Sequence, residues 1–588
     1  MRLPLARYRA LLSSYLLPQW GKTLLLSALL LTGIGLQLAG PLIIRSFIDL
    51  AAAHASLAAL LGAAALYLVV AFLTQGVGIA EAYTAEDVAW TATNLLRADV
   101  ALHCLRLDMS FHTAHTPGEL IERIDGDANA LANFFARFVV TLLGNALLLV
   151  GMLVVLFRIN WQVGLALLLY SSLALAALNR MRGVAVPRWR AVRQYMAEMF
   201  GFIEERLSGA EDLRANGATA YPLRRLYEWF RSYLHIQRAA FMVTRGLWGV
   251  TALLFTLGTI VAFILTAYLY KHGAMTIGTA YLVFAYTQQL VQPLEQISGQ
   301  LDDFQQASAS ATRMLDLLDT QPAITDGPGA SWPDGALSVE FDRVCFGYQA
   351  GRPVLRDLSF SLPPGRVLGV LGRTGSGKST LTRLLFRLYD PDAGMIRLGG
   401  VDLRRPTLDA LRARVGLVTQ EVQLFQASVR DNLRFYNRAI SDEQIMSALH
   451  DLGLTSWYAA LPRCLDTELA GGGAGLSAGQ AQLLALVRAF LTDPNLVILD
   501  EASSRLDPAT ERQIERAMDR LLHGRTAIIV AHRLTTVQRA DDILILEDGY
   551  ISEHGPRAAL AGDPHSRFSH LLRTEALTMR GVGEEVRP

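Results

Sequence analysis

Lysine is almost missing from this 588-residue chain: Lys22, Lys271 and Lys378 are the only three, against 51 arginines among 54 basic residues. Cysteine is equally scarce. Cys104, Cys345 and Cys464 are far apart and odd in number, which excludes a disulfide framework or a thiolate zinc site and leaves reduced thiols. Net charge is nearly absent too, and a formal +1 gives no reason to expect nucleic acid as a partner. Charged residues reach only 18% while 52% are apolar and mean hydropathy is +0.28, which is high for a wholly soluble chain and suggests a membrane portion. The N-terminus shows no short apolar core before a small-residue cleavage site, so no removable signal peptide is expected. At this length one core is not enough, and two or more domains are expected.

What is present divides at about residue 320. Met1–Lys22 mixes Arg2, Arg7 and Arg9 with leucines and tyrosines and reads as an amphipathic helix on the membrane face. Six apolar stretches follow, at about 23–46, 57–80, 134–157, 161–179, 247–269 and 276–294, each near the roughly 20 residues that cross a bilayer. The connections after the first, third and fifth stretches are short and poor in basic residues. Those after the second and fourth are long and carry Arg97, Arg106, Arg123 and Arg137, then Arg180, Arg182, Arg188, Arg190 and Arg193. The positive-inside rule puts these long loops, and both termini, on the cytoplasmic side. Periodic apolar residues within them predict that the spans continue as helices into the cytosol. The polar turns around 108–120 and 204–217 read either as short transverse helices or as solvated loop ends. Asn145 is expected to act as interhelical glue. Gln288, Gln292, Gln296 and Gln300 recur at i+4 on one face, which could line a path, form a subunit seam or meet solvent. Pro293 is expected to kink that helix.

Residues 321–336, rich in proline and glycine, read as a linker. Residues 337–575 alternate apolar strands with helical patterns, an α/β domain with a largely parallel core, and 576–588 form a polar tail. Inside this domain lies Gly372-Arg373-Thr374-Gly375-Ser376-Gly377-Lys378-Ser379-Thr380, between a strand-like run (Val367–Leu371) and a helix-like run (Leu381–Leu388). This is the context a phosphate loop needs. Glycines let backbone N–H groups surround phosphate oxygens, and the next helix offers its positive end. Lys378 is suited to neutralising the outer phosphates, and Ser379 to ligating Mg²⁺. Leu496–Leu499 leads into Asp500 and Glu501: Asp500 is placed to hold Mg²⁺, and Glu501 to polarise an attacking water.

With these motifs the chain resembles an ABC transporter half of the exporter type, over nearly its whole length. The fold implied is an α-helical six-span transmembrane domain plus an α/β P-loop nucleotide-binding domain. The resemblance makes Tyr348 the aromatic that stacks on adenine. Gln420 becomes the glutamine linking the Mg²⁺ site to the membrane domain. Leu476-Ser477-Ala478-Gly479-Gln480 becomes the signature that closes over ATP held by a partner. Asp507 falls in the loop crossing the dimer interface, and His532 is the switch histidine. The two transverse turns become coupling helices. ATP and Mg²⁺ are the implied cofactors. The implied activity is ATP-driven export of an amphipathic compound, lipid or peptide by an integral protein of a bacterial plasma membrane. A nucleotide-gated channel or regulatory subunit, or an importer on exporter architecture, are the alternatives.

Two departures from the family pattern stand out. Ala478 replaces the usual signature glycine, and the stretch Thr467-Glu468-Leu469-Ala470-Gly471-Gly472 lacks the acid that the family usually has near Gly471. Lys378, Asp500, Glu501 and His532 are all retained. A half with a competent phosphate loop and an altered signature suggests a heterodimer with one degenerate site; a homodimer that tolerates alanine is the alternative.

Overall fold

The computed structural model describes residues 13–133, 140–349, 351–471, 476–500, 508–531, 534 and 536–574, the side chains of 133, 300–306, 508 and 509 excepted. The chain forms two compact units, one of Met1–Leu105 with Pro117–Thr320, the other of Arg106–Thr116 with Gln321–Pro588.

The first unit is helical: α1 (Trp20–Ala52), α2 (Leu57–Arg106), α3 (Gly144–Ile159), α4 (Trp161–Ser208), α5 (Ala220–Lys271), α6 (Ile277–Gln289) and α7 (Val291–Asp319). The segments Ser13–Ala52, Leu57–Arg106, Val140–Ile159, Trp161–Ser208 and Ala220–Lys271 are long and apolar enough to cross a membrane. The sixth expected span, 276–294, is not one unbroken helix. It divides at Leu290 into α6, of 13 residues, and α7, of 29. Pro293 supplies the reason, because it has no N–H to donate to the carbonyl of Gln289. Residues 134–139 of the third expected span lie outside the described residues.

The predicted extensions are real helices. At about 1.5 Å per residue, α2, α4 and α5 run about 70–80 Å, against about 30 Å of hydrocarbon. Helix starts follow local chemistry. Asn160 caps α4 by accepting from the N–H of Gln162 (2.8 Å). Thr276 caps α6, and Asp49 at the far end of α1 accepts from the Thr276 hydroxyl (3.0 Å) and the Gly278 N–H (2.9 Å). A Cβ at Gly278 would overlap the carbonyl of Arg45, so only glycine allows this approach. Where α3, α4 and α6 meet, Met152, Leu156, Leu167, Leu282 and Tyr286 are buried, and the Tyr286 hydroxyl donates to Leu38 O (2.8 Å). Asn145 does join helices: its amide donates to Gln296 Oε1 at 2.6 Å. Nearer the end of α7, buried Asp127 is paired with Arg313, Nε to Oδ2 2.9 Å, as burial of a carboxylate demands.

The second unit has two main sheets. Strands β1 (Val339–Phe346), β2 (Leu355–Leu362), β4 (Ala393–Leu398) and β5 (Val401–Asp402) form an antiparallel sheet in the order β2-β1-β4-β5. A six-stranded sheet has the order β12-β11-β3-β10-β9-β6, from β3 (Val367–Gly372), β6 (Val415–Val418), β9 (Leu496–Asp500), β10 (Thr526–Val530), β11 (Asp542–Glu547) and β12 (Tyr550–Pro556). Only β12 runs antiparallel. Two-residue strands β7 (Ala427–Ser428) and β8 (Glu468–Leu469) pair separately. The central strands are buried on both faces and read as the near-continuous apolar runs LVIL, before Asp500, and TAIIV. Helices α8 (Lys378–Leu385), α9 (Ala478–Leu491) and α10 (Pro508–Leu522) complete the parts needed for the site.

The linker is irregular, as its composition predicts, yet it is bound throughout. Asp326 accepts from Leu408 N–H (2.7 Å), Gly327 N–H donates to Pro406 O (3.1 Å), and buried Trp332 donates to Leu398 O (2.7 Å). The turn around 108–120 contains a short helix, Met109–Ala114, which belongs to this unit. Its counterpart, Ala210–Ala215, lies in the helical unit and buries no residue.

Candidate functional site: a phosphate loop on a parallel sheet edge

Strand β3 ends at Gly372, and the loop that follows delivers Lys378 to the first position of α8. Gly377 has φ +104, and a Cβ there would meet Leu355; Gly372 has φ +150, and a Cβ there would strike the Leu546 carbonyl. These two glycines are therefore required by backbone geometry and close approach. Arg373, Thr374 and Gly375 form the exposed tip, while Ser376, Lys378 and Thr380 are buried. Lys378 Nζ donates to the carbonyls of Gly372 (2.7 Å) and Arg373 (3.0 Å), so its ammonium lies within the loop itself. The Ser376 hydroxyl is buried and finds no hydrogen-bond partner among the described residues. A buried hydroxyl facing an amide-lined loop is suited to an anionic oxygen such as a phosphate supplies.

Sheet register sets the rest of the edge. Val370 pairs with Val530, and Val530 with Asp500, so β3, β10 and β9 end side by side. Helix α8 packs against β3 and β9. Asp500 is half-buried at this edge and Ser379 is exposed on the first turn of α8. Glu501, Asp507 and His532 lie outside the described residues; Glu501 directly follows β9, and His532 comes two residues after β10.

Among the described residues no three His, Cys, Asp or Glu side chains cluster as a metal centre. Mg²⁺ does not need one, since it is commonly held by one or two carboxylates, a hydroxyl and the phosphates themselves. Ser379, Asp500 and Gln420 are oxygen donors of that kind, and the donor set fits the ion.

Tyr348 is 41% exposed, consistent with an aromatic face open to a base. Its hydroxyl is fixed by Thr380 Oγ1 (3.1 Å) and by Arg383 Nη1, which donates at 3.1 Å, and Tyr389 meets its ring edge-on at 5.2 Å. Arg383 and Tyr389 escaped the sequence reading. The signal was available for Arg383, three residues after Thr380 on the same face of α8.

The signature residues begin α9. Ser477 Oγ accepts from Gln480 N–H (3.2 Å) and Gln480 Oε1 from Ser477 N–H (2.9 Å), a reciprocal capping box. Ala478 is exposed on the first turn and Gly479 is buried behind it. One turn on, the buried amide of Gln482 donates to Gln420 O (2.9 Å), tying the signature helix to the Gln420 loop. A cavity of about 530 Å³ opens nearby, lined by Gln423, Phe425, Phe435 and Arg488 among others. Arg488 donates to Asn432 O (2.6 Å), Gln423 O (2.9 Å) and Asn432 Oδ1 (3.0 Å) and lies over the Phe435 ring; burial pushes its pKa down to about 10.

The fold and the site define a multi-pass membrane protein that carries a P-loop nucleotide-binding domain in the same chain. Residues 23–294 match the family model described as ABC transporter transmembrane region, and 355–504 match the one described as ABC transporter. An uncharacterised ABC transporter ATP-binding protein of Bacillus subtilis is 30% identical over 92% of this chain and 90% of its own. A fatty acid ABC transporter ATP-binding/permease protein of Mycobacterium tuberculosis is 32% identical over 79% of this chain and 74% of its own. The structure of a bacterial Atm1-family ABC exporter with ATP bound superposes with TM-score 0.80 at 26% identity, covering 94% of this chain and 98% of that one. The chain belongs to the ABC transporter family, with a helical transmembrane region and a nucleotide-binding domain fused in one chain.

Proposed function

We propose that this chain is one half of a dimeric, ATP-hydrolysing exporter of an amphipathic compound, lipid or peptide. The observation that carries the proposal is the Lys378 loop at the edge of a parallel sheet, in a chain whose other half is built of membrane-length helices. Lys378, Ser376 and the first amides of α8 bind the phosphates, Tyr348 holds the base, and Glu501 orients the attacking water, with His532 beside the outer phosphate. Ser379, Asp500 and Gln420 would hold Mg²⁺, which would supply neutralising charge to the phosphates. The fatty acid transporter similar to this chain supports an acyl-chain substrate.

A dimer is supported by the surface of α5. Tyr221 (63% exposed), Tyr227 (65%), Leu234 (47%) and Met242 (73%) lie bare on its first half, beyond what one monomer leaves uncovered on a water-facing helix. Ala478 favours an unlike partner, because a methyl on the first turn of α9 crowds the approach of another chain's phosphate. The nucleotide domain faces the cytoplasm and the membrane is the bacterial inner membrane.

The test is ATP-dependent uptake into inside-out vesicles by the assembled transporter. Uptake that is lost in Glu501→Gln supports the reading. ATP binding without any uptake in the unaltered protein would favour a gated channel instead.

A further inference from the structure

The chain passes between its two units three times: after Leu105, before Pro117 and after Thr320. Two of these crossings are joined by one side chain. Asp108 opens the short helix Met109–Ala114 and uses its two carboxylate oxygens differently. Oδ1 accepts from the Phe111 N–H (3.2 Å) and from the Ser110 hydroxyl, an ordinary helix cap. Oδ2 accepts from the N–H of Ala323, on the linker that follows α7, at 2.6 Å. A serine, threonine or asparagine would suffice for the cap alone. The second oxygen is what the linker takes.

Two further contacts bracket this one. Five residues earlier, His103 on α2 meets Leu317 O on α7 at 3.0 Å, Nε2 donating because a carbonyl can only accept. Five residues later, Thr113 Oγ1 lies 3.4 Å from the hydroxyl of Tyr389, the ring that abuts Tyr348. Burial alone would raise the Asp108 carboxyl; the bonds from Ser110, Ala323 and Phe111 outweigh it and hold the group below the usual carboxylate range.

We propose that Asp108 is a positioning residue that fastens this short helix to the start of the linker, so that the nucleotide unit pulls on α2 and α7 together. The proposal rests on the ATP-driven transporter reading and adds to it the residue that keeps two of its mechanical connections in step. Without the clasp, the short helix and the linker are separate tethers, and nucleotide-driven motion is divided between them.

Asp108→Asn separates the clasp from the cap. The amide oxygen still serves Phe111, whereas the NH₂ faces the Ala323 N–H, donor against donor. Ala323→Pro removes the same bond from the other side and leaves Asp108 untouched. The experiment is hydrogen exchange on the full transporter in lipid nanodiscs, with and without Mg-ATP, alongside steady-state ATPase. In both variants the amides at 109–114 keep their protection, and in Asp108→Asn the Ala323 amide loses about tenfold, the factor set by one hydrogen bond to a charged group. The Mg-ATP response at 372–380 and the KM for ATP stay unchanged. The Mg-ATP response of the loop at 53–56, between α1 and α2, falls several-fold, and the double variant falls no further. A 53–56 response equal to that of the unaltered protein in both variants overturns the proposal, as does loss of the 109–114 protection together with ATPase in Asp108→Asn, which would make Asp108 a structural cap only. Absence of any Mg-ATP response at 372–380 in the unaltered protein would instead overturn the transporter reading, so the two failures are distinguishable.

Discussion

Lys378 shows how far a single residue constrains function. In a chain with only three lysines against 51 arginines, a compact ammonium lies in the loop, bonded to the Gly372 and Arg373 carbonyls. A planar guanidinium is not interchangeable with a compact ammonium at such a site. Lys378→Ala is expected to weaken ATP binding on the order of 100-fold, as loss of charge-assisted hydrogen bonds implies, measured by nucleotide titration of the purified protein. Arg383 should separate binding from chemistry, since it acts through Tyr348. Arg383→Ala raises the KM for ATP about fivefold, the effect of one hydrogen bond of about 1 kcal/mol, and leaves kcat unchanged. A fall in kcat would place Arg383 elsewhere in the cycle.

A pH prediction also belongs at this scale. Burial alone would raise the Asp402 carboxyl, but the side chain and N–H of Arg404 outweigh it and hold the group below its usual range. A depressed folded pKa gives stability that is present above the unfolded value, about 3.9, and lost as pH falls through the folded one. Asp402→Asn should therefore flatten the loss of melting temperature on acidification below about pH 4 relative to the unaltered protein. An identical acid slope would refute the linkage.

Among elements, the linker and the sixth helix depart most from what composition implies. Proline and glycine at 321–336 describe a loop, but Asp326, Gly327 and Trp332 make it a strap on the antiparallel sheet. Trp332→Ala should destabilise the nucleotide domain by about 3–5 kcal/mol, the range for a large buried side chain. Trp332→Phe, which keeps most of the apolar burial and loses the bond to Leu398, should cost about 1 kcal/mol. Denaturant melts followed by tryptophan fluorescence test the first against the second. In the sixth helix, Pro293 was legible as a kink, but the position of the break at Leu290 was not. The glutamine stripe also divides. Gln296 accepts from Asn145, Gln288 donates to Thr259 Oγ1 at 3.1 Å, and Gln292 is exposed. If the exposed pair lines the path, replacing Gln288 and Gln292 by leucine alters substrate-stimulated ATPase across a panel of amphiphiles, while an unchanged panel assigns them to a seam or to solvent.

For the whole molecule, the bare aromatic and apolar face of α5 and the altered signature bear on assembly. Co-expression with a second half-transporter that has an intact signature should yield a native mass of one chain of each kind. ATPase of that pair should rise on Ala478→Gly. A fully active assembly of this 64.4 kDa chain with itself would reverse the heterodimer assignment.

Local chemistry alone determined a good deal. Apolar run length marked the membrane-crossing segments, because backbone amides in lipid must bond within their own helix. The spacing of glycines, lysine and serine marked the phosphate loop, since the anion cradle is built from consecutive residues. Tertiary structure decided what depends on partners distant in sequence. The bond from Asp108 to Ala323 spans 215 residues, and that from Gln482 to Gln420 spans 62. Hydrogen bonds of this kind have no sequence period, because a polar side chain on a turn or helix face is satisfied by whichever backbone group the fold brings within about 3 Å.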